Sequence, residues 1–297
     1  MNKDQQYTDL KEQNTGKIHI SYSEFSKYQS CGHRHLIEKY LKLVEEETSI
    51  HLIFGNSIHK SIELGIKENI STEERVLAFR EEFSREMHNN LRESPEFNEL
   101  SNYLDQGENI IRSLSTEKIL DKYEVMGVEL PLYEKLFGIF HFKGFIDLIL
   151  RDKNTNRYLI IDWKTSGEAW DVSKKKKDLI FMAQMRLYKF FYGRIGNINF
   201  DEIDCKYVVL NRLKSKKCPD LGYGEIQSVE IFSDVSDIES SLTEVAETIK
   251  KIHIDNYFPK AKFQNKTNNC FFCPYKNNFS LCNSDPEQYK KMLSGEI

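Results

Sequence analysis

Two apolar runs, each interrupted by a single carboxylate, constrain this chain more than anything else in it. They are GFIDLIL, around Asp147, and YLIIDWKTS, around Asp162. Runs this rich in β-branched and aromatic residues read as strands, and the polar RDKNTNR between them is long enough for a hairpin turn. Side chains alternate along a strand, so Asp162 and Lys164 share one face and Trp163 takes the other. Pairing the two strands would bring Asp147 beside Asp162. Two carboxylates and a lysine at the ends of adjacent strands can hold a hard divalent cation and set an ammonium beside it. An ordinary strand-edge ion pair is the alternative for D-x-K taken alone.

Around this pair the chain divides by composition. Residues 1–17 are polar and expected to be flexible. Residues 18–71 open on a strand-like piece, after which Ser21 or Ser23 caps a helix carrying Phe25, Tyr28, Leu36 and Tyr40; FGNSIHKSIELGIKE reads as a second helix. Residues 72–122 are charged and largely helical, with a break at Pro95, and read as a helical insertion. In 123–234 the pattern turns to β. YEVMGVELPLYEKLFGIFHFKGFIDLILRD and RYLIIDWKTS give two or three strands, DLIFMAQMRLYKFFYGRIG a helix, and IDCKYVVLNRL and YGEIQSVEIF further strands. Residues 235–297 supply an amphipathic helix ending before Pro259 and then a cysteine-bearing tail. The expected class is α/β, a mixed core with helical additions at both ends.

Hydrophobic residues make up 39% of the 297, which is enough to bury a core and excludes wholesale disorder. Lysines and arginines number 42 against 46 acids, a formal charge of −4. That excludes a uniformly basic nucleic-acid binder but leaves room for a local basic groove. No apolar run approaches the roughly 20 residues of a membrane span, and the N-terminus has no apolar signal-peptide core. A soluble cytoplasmic protein is expected, and the Lys/Asn/Ile-rich composition points to a bacterial or virus-infected cell.

Six cysteines are too sparse for a disulfide scaffold. Cys270, Cys273 and Cys282 form C-x2-C-x8-C near the C-terminus, and Cys31 stands far upstream in YQSCGHRH. Thiolates bind soft metals, and a C-x2-C turn lets two sulfurs reach one centre. The residues leave three readings open: buried thiols, a zinc site of these cysteines alone or with His33 or His35, and a four-cysteine iron–sulfur cluster. With Cys31 as a ligand, the site would tie the chain ends together. Cys205, in a strand-like run, and Cys218, in a Lys-rich turn, read as bystanders.

Two weaker patterns complete the set. FGNSIHK supplies G-x3-H with His59 on a helix, and MAQMRLYK supplies Gln184 and Tyr188 at i and i+4 on one helical face. Each alone is ordinary packing. In the order G-x3-H, G-x-x-D, apolar-D-x-K, Q-x3-Y, flanked by Cys31 and by C-x2-C-x8-C, the chain resembles the RecB-type branch of the PD-(D/E)xK nuclease superfamily. It is most similar to the iron–sulfur members, such as the AddB nuclease domain and the CRISPR-associated exonucleases of spacer acquisition. The opening ISYSEFSKYQSCGHRHLIEKYL matches their usual start, with Gly32 where Pro is common. The resemblance spans roughly 18–285, apart from the insertion.

This resemblance implies a single nuclease domain over 18–297 with a restriction-endonuclease-like fold. Its mixed central sheet would be flanked by helices, with a C-terminal segment bearing the iron–sulfur cluster. It makes His59, Asp147 and Asp162 ligands of Mg2+ or Mn2+, helped by the backbone carbonyl of Trp163, and makes Lys164 the catalytic lysine. Gln184 and Tyr188 would contact the DNA strand and orient the catalytic groups. Cys31, Cys270, Cys273 and Cys282 would hold a 4Fe–4S cluster, although the last spacing is x8 where many relatives have x5. The acid before Trp163 is Asp where Glu is also used.

The implied activity is metal-dependent exonucleolytic cleavage of single-stranded DNA or DNA ends. No helicase motif is present, so the enzyme would act alone or with a separate helicase or recombination partner. Other readings are a structure-specific endonuclease on the same fold, an inactive DNA-binding or recombination accessory protein, and a metal-based redox sensor. Basic segments at 174–177, 213–217 and 260–266 are candidate phosphate contacts, the first expected near the active-site mouth. Trp163, Trp170 and Tyr192 lie close enough in sequence to offer stacking surface.

Overall fold

A computed structural model describes residues 18–40, 48–212 and 226–259 together with positions 270, 273, 275 and 282. Residues 1–17, Cys218 and the basic segments 213–217 and 260–266 lie outside the described residues. The chain opens with β1 (His19–Ser21), α1 (Tyr22–Ser30) and α2 (Gly32–His35), which runs into a π-helical turn at Leu36–Tyr40. Four helices follow: α3 (Ile50–Lys67), α4 (Thr72–Leu91), α5 (Leu100–Ser113) and α6 (Thr116–Lys122), with a 3-10 turn at Pro95–Glu99. Next come β2 (Tyr123–Phe137), β3 (Phe140–Asp152) and β4 (Tyr158–Ser166). The last elements are α7 (Val172–Lys175), α8 (Leu179–Gly196), β5 (Ile203–Asn211), β6 (Ile226–Ile231) and α9 (Val235–His253). Among the described residues no helix is long and apolar enough to cross a membrane.

The chain forms two compact units, the larger comprising Thr48–Leu132 and Gly144–Ser241. Its sheet has the order β3-β4-β5-β6, and β2 also pairs with β3. The sheet is mixed: β4 and β5 run parallel, from Tyr158↔Ile203 to Ser166↔Asn211, while β3–β4 and β5–β6 are antiparallel. A parallel pair needs a crossover, and α7 with α8 provides it. Helices cover both faces of β4 and β5, which is why those strands read as nearly unbroken apolar runs.

On one face lie α3–α6. Ser49 caps α3 by accepting from Leu52 N–H, and Ile50, Ile53, Phe54, Ile58, Ile62 and Ile66 form its buried stripe. These residues share a core with Phe79, Phe83, Ile110, Trp163, Val208 and Leu210. Phe54 sits edge-on to Phe79, Phe83 and Tyr103, with centroids 5.3–5.8 Å apart. On the other face is α8, where Phe181 stacks on Tyr207 of β5 at 4.2 Å.

Of the described residues, the smaller unit contains 18–40, 133–143 and 242–259 with positions 270, 273, 275 and 282. There β1 pairs in parallel with the start of β3, from His19↔His141 to Ser21↔Lys143. Ser21 caps α1 as expected, but the single helix expected through Tyr40 does not form. The backbone turns extended at Cys31 (φ −166°, ψ 108°), whose Sγ accepts from Arg34 N–H and starts α2. The cause is a close approach of main chain. A side chain at Gly32 would lie 2.6 Å from Pro259 Cδ, and His33 N–H donates to the Pro259 carbonyl. Tyr28 OH donates to the Tyr257 carbonyl and Gln29 Nε2 to Thr248 Oγ1, tying α1 to the C-terminal part of α9.

Gly107 of α5 gives a test of this packing. An added Cβ there would lie 2.1 Å from the fully buried Phe79 ring. Ala is the better helix former by about 1 kcal/mol, but overpacking a filled core costs about 1–3 kcal/mol. Gly107→Ala is therefore expected to lower stability in urea unfolding, and a stabilised variant would contradict the packing described.

Candidate metal centre and active site

The ladder between β3 and β4 includes Leu148↔Ile161, so Asp147 and Asp162 are the next residues to face each other. Asp147 Oδ2 accepts from Trp163 N–H at 2.8 Å. Asp162 is buried, and its Oδ1 accepts from Gln184 Nε2 at 2.7 Å. Its Oδ2 is buried and accepts no aligned hydrogen bond; its neighbour is Lys164 Nζ at 2.6 Å. On α8, Gln184 Nε2 also donates to Tyr188 OH at 3.2 Å. Tyr207 OH donates to the Phe181 carbonyl and lies 3.3 Å from Gln184 Oε1, so both ends of the Gln184 amide are engaged. Gln184 and Tyr188 are both buried and turned toward Asp162.

His59 reaches this centre because of the glycine one turn before it. A Cβ at Gly55 would lie 3.1 Å from Thr165 Oγ1, so the missing side chain lets α3 lie close over β4. One turn later, His59 Nδ1 is 3.7 Å from Asp147 Oδ2, and the imidazole shares a hydrogen bond with the Trp163 main chain. Desolvation governs the titration of all three groups. Burial pushes Asp147 up to about 7 and Asp162 up to about 6, against the pull of the Lys164 ammonium. Burial pushes His59 down to about 4, so the imidazole is neutral at ordinary pH.

The structure adds a residue that sequence reasoning missed. Glu129 of β2 presents a carboxylate oxygen within 4.8 Å of ligand atoms of both His59 and Asp147. Its backbone has φ +52°, an unusual conformation for a side-chain-bearing residue and one that local structure must hold in place. His59, Glu63, Glu129, Asp147 and Trp163 line a cavity of about 10 Å3, room for a single water or ion. Asp162 stands beside this trio, within electrostatic reach of His59 and Asp147, rather than in it. Neutral imidazole and clustered carboxylates suit a hard divalent cation. Nothing in GVELP marks Glu129 beforehand, since its position depends on how β2 pairs.

Among the described residues, none of the four cysteines singled out by spacing is in a disulfide. Cys31 begins α2, and Cys273 N–H donates to the Cys270 carbonyl, closing the C-x2-C turn. Burial raises the Cys270 thiol, as do Cys31, Cys273 and Cys282, which all lie within electrostatic reach of it. Cys205 is buried in β5 and likewise raised, to about 12, by burial. Of the basic run 174–177, Lys175 lies over the Trp170 ring and Lys176 over Phe232. Trp163 is packed in the core, and Tyr192 is buried beside Tyr158, so neither offers a face to a base.

Ion binding at this centre must expel protons, because the buried carboxylates have to ionise first. With Asp147 near 7 and Asp162 near 6, Mn2+ affinity is expected to rise as pH increases from about 6 to about 8, with proton release on binding. His59, neutral above about 4, adds no pH dependence in that window. Calorimetry in two buffers of different ionisation enthalpy measures the release, and identical heats would contradict it.

The sequence matches no curated protein. The family model of the PD-(D/E)XK nuclease superfamily matches residues 19–278. That interval takes in the helix carrying His59, both acidic strands, Lys164 and the Gln184 helix, so the chain belongs to the PD-(D/E)XK nuclease superfamily.

Proposed function

We propose that the chain is a metal-dependent deoxyribonuclease of the RecB-type iron–sulfur branch, acting as an exonuclease on single-stranded DNA or DNA ends. The observation that carries this is an ion-sized cavity lined by His59, Glu129 and Asp147, with the Asp162–Lys164 pair within electrostatic reach of His59 and Asp147. His59, Glu129 and Asp147 would hold Mg2+ or Mn2+, with Asp162 and the Trp163 carbonyl beside them. A divalent cation there makes bound water a better nucleophile and neutralises charge growing on the phosphoryl oxygens.

The protein groups have separable duties. Lys164 is about one-third exposed, so its ammonium can face Asp162 and a substrate phosphate together, orienting the attacking water or stabilising the oxyanion. Gln184 and Tyr188 are positioning residues that hold Asp162 from behind. The Trp163 amide does the same for Asp147. The exonuclease mode rests on the resemblance to exonucleases of this branch. Linear and circular single-stranded DNA, each incubated with Mn2+, test it. Linear DNA should be digested and circular DNA spared, with Lys164→Ala at least about 100-fold slower. Cleavage of the circle would move the protein to the endonucleases, and an inert wild type would end the nuclease reading.

Cys31, Cys270, Cys273 and Cys282 are proposed to hold a 4Fe–4S cluster. Burial and the three neighbouring cysteines raise the Cys270 thiol, and a soft cation there would stabilise its thiolate. A single tetrahedral zinc held by the same four sulfurs is the other reading. Anaerobically purified protein should be brown, with visible charge-transfer absorption that Cys270→Ser abolishes. Colourless protein containing zinc would overturn the assignment.

A further inference from the structure

A second cavity lies along the same helix that carries His59. Its volume is about 400 Å3, within the range of ligand pockets, and its walls are His51, Phe54, Thr165, Ser166, Gly167 and Arg212. Three of these directly follow Lys164 in the chain. His51, Gly55 and His59 are successive turns of α3, so His51 stands about 12 Å along the helix axis from His59. That is the reach of a few nucleotides of one strand.

The charged wall is built for an anion. Arg212 directly follows β5, and its main-chain N–H donates to the Ser166 carbonyl at 3.0 Å, which fixes it beside the residues after Lys164. Its guanidinium lies 4.5 Å from the centroid of the Tyr103 ring, and Nη1 contacts Gln106 Oε1 at 3.3 Å. Among the described residues these partners are a ring face and a neutral amide, which hold the fork in place without neutralising it. A Cβ at Gly167 would lie 3.0 Å from Arg212 Nη2, so the guanidinium sits directly against this glycine. His51, hydrogen-bonded to Tyr103 OH at 3.0 Å, and the Thr165 hydroxyl add polar groups to the same wall.

We infer that this cavity is a phosphate subsite: Arg212 binds a backbone or terminal phosphate of the strand whose scissile bond lies at the His59–Asp147 centre. The inference rests on the nuclease reading and deepens it, since it names the group that fixes the strand's register. Single-strand affinity falls with salt by about 0.7 in log–log slope for each phosphate neutralised. Anisotropy of a labelled oligothymidylate with Ca2+ measures that slope without requiring turnover.

Arg212→Gln is expected to weaken binding about 10-fold and flatten the slope by about 0.7, whereas Arg212→Lys restores most of the slope. Gly167→Asp places a carboxylate against the guanidinium and should reproduce the loss with Arg212 still present, which covers the case of a poorly folded Arg212→Gln. A merely structural Arg212 would lower thermal stability without altering the salt slope. Oligothymidylates with a 5′-phosphate, a 3′-phosphate or neither separate the two sources, because a terminal site favours one phosphorylated end and a backbone site binds all three equally. Wild-type slope and affinity in both Arg212→Gln and Gly167→Asp would overturn the subsite even if the enzyme cleaves DNA. Strand binding with the expected slope but no cleavage in Mn2+ would remove the nuclease reading and leave the subsite standing.

Discussion

Asp147 and Asp162 lie side by side at the end of the ladder between β3 and β4, where both are largely withdrawn from water. A carboxylate in that position survives as an anion only with compensation, and each available donor is already committed. The Trp163 amide serves Asp147, Gln184 serves one oxygen of Asp162, and the Lys164 ammonium faces the other. The raised pKa values of both acids show how incomplete this compensation is. A site left short of positive charge in this way is poised to accept a cation, and much of the surrounding fold serves to keep it so.

That service is visible on both faces of the sheet. Below Asp162, the hydrogen-bond chain through Gln184 and Tyr207 anchors to the backbone of α8, so the carboxylate cannot rotate away from β3. Above it, α3 acts as a ruler. Its apolar stripe anchors it in the aromatic core of α4 and α5, Gly55 permits a close approach to Thr165, and His59 and His51 then project at fixed turns. The ion-sized cavity and the Arg212 cavity are thus two stations along one helix, and rigid packing sets their separation.

Much of this was legible beforehand because it depends on local patterns. Alternation along YLIIDWKTS put Asp162 and Lys164 on one face and Trp163 on the other, and the polar turn before it paired the two acidic strands. Ser21 capped the first helix because the side-chain oxygen meets a free N–H within its own turn. The helix expected through Tyr40 broke at Cys31 for a non-local reason, the approach of Phe258 and Pro259 to Gly32. Of the aromatics offered for stacking, Trp163 and Tyr192 were absorbed by packing, since a large buried ring contributes most when its whole surface is covered.

The sequence by itself determined the strands, the helices between them and the residue types able to bind an ion, because period, alternation and capping act over a few neighbouring residues. Only the tertiary structure decided that Glu129 joins His59 and Asp147, that Asp162 stands beside that trio, and that Arg212 opens onto a cavity down the same helix. Those outcomes depend on how β2 meets β3, on a left-handed backbone at Glu129 and on the fit of α3 over β4. Each is set by contacts between segments distant in the chain, for which no local pattern of residues carries a signal.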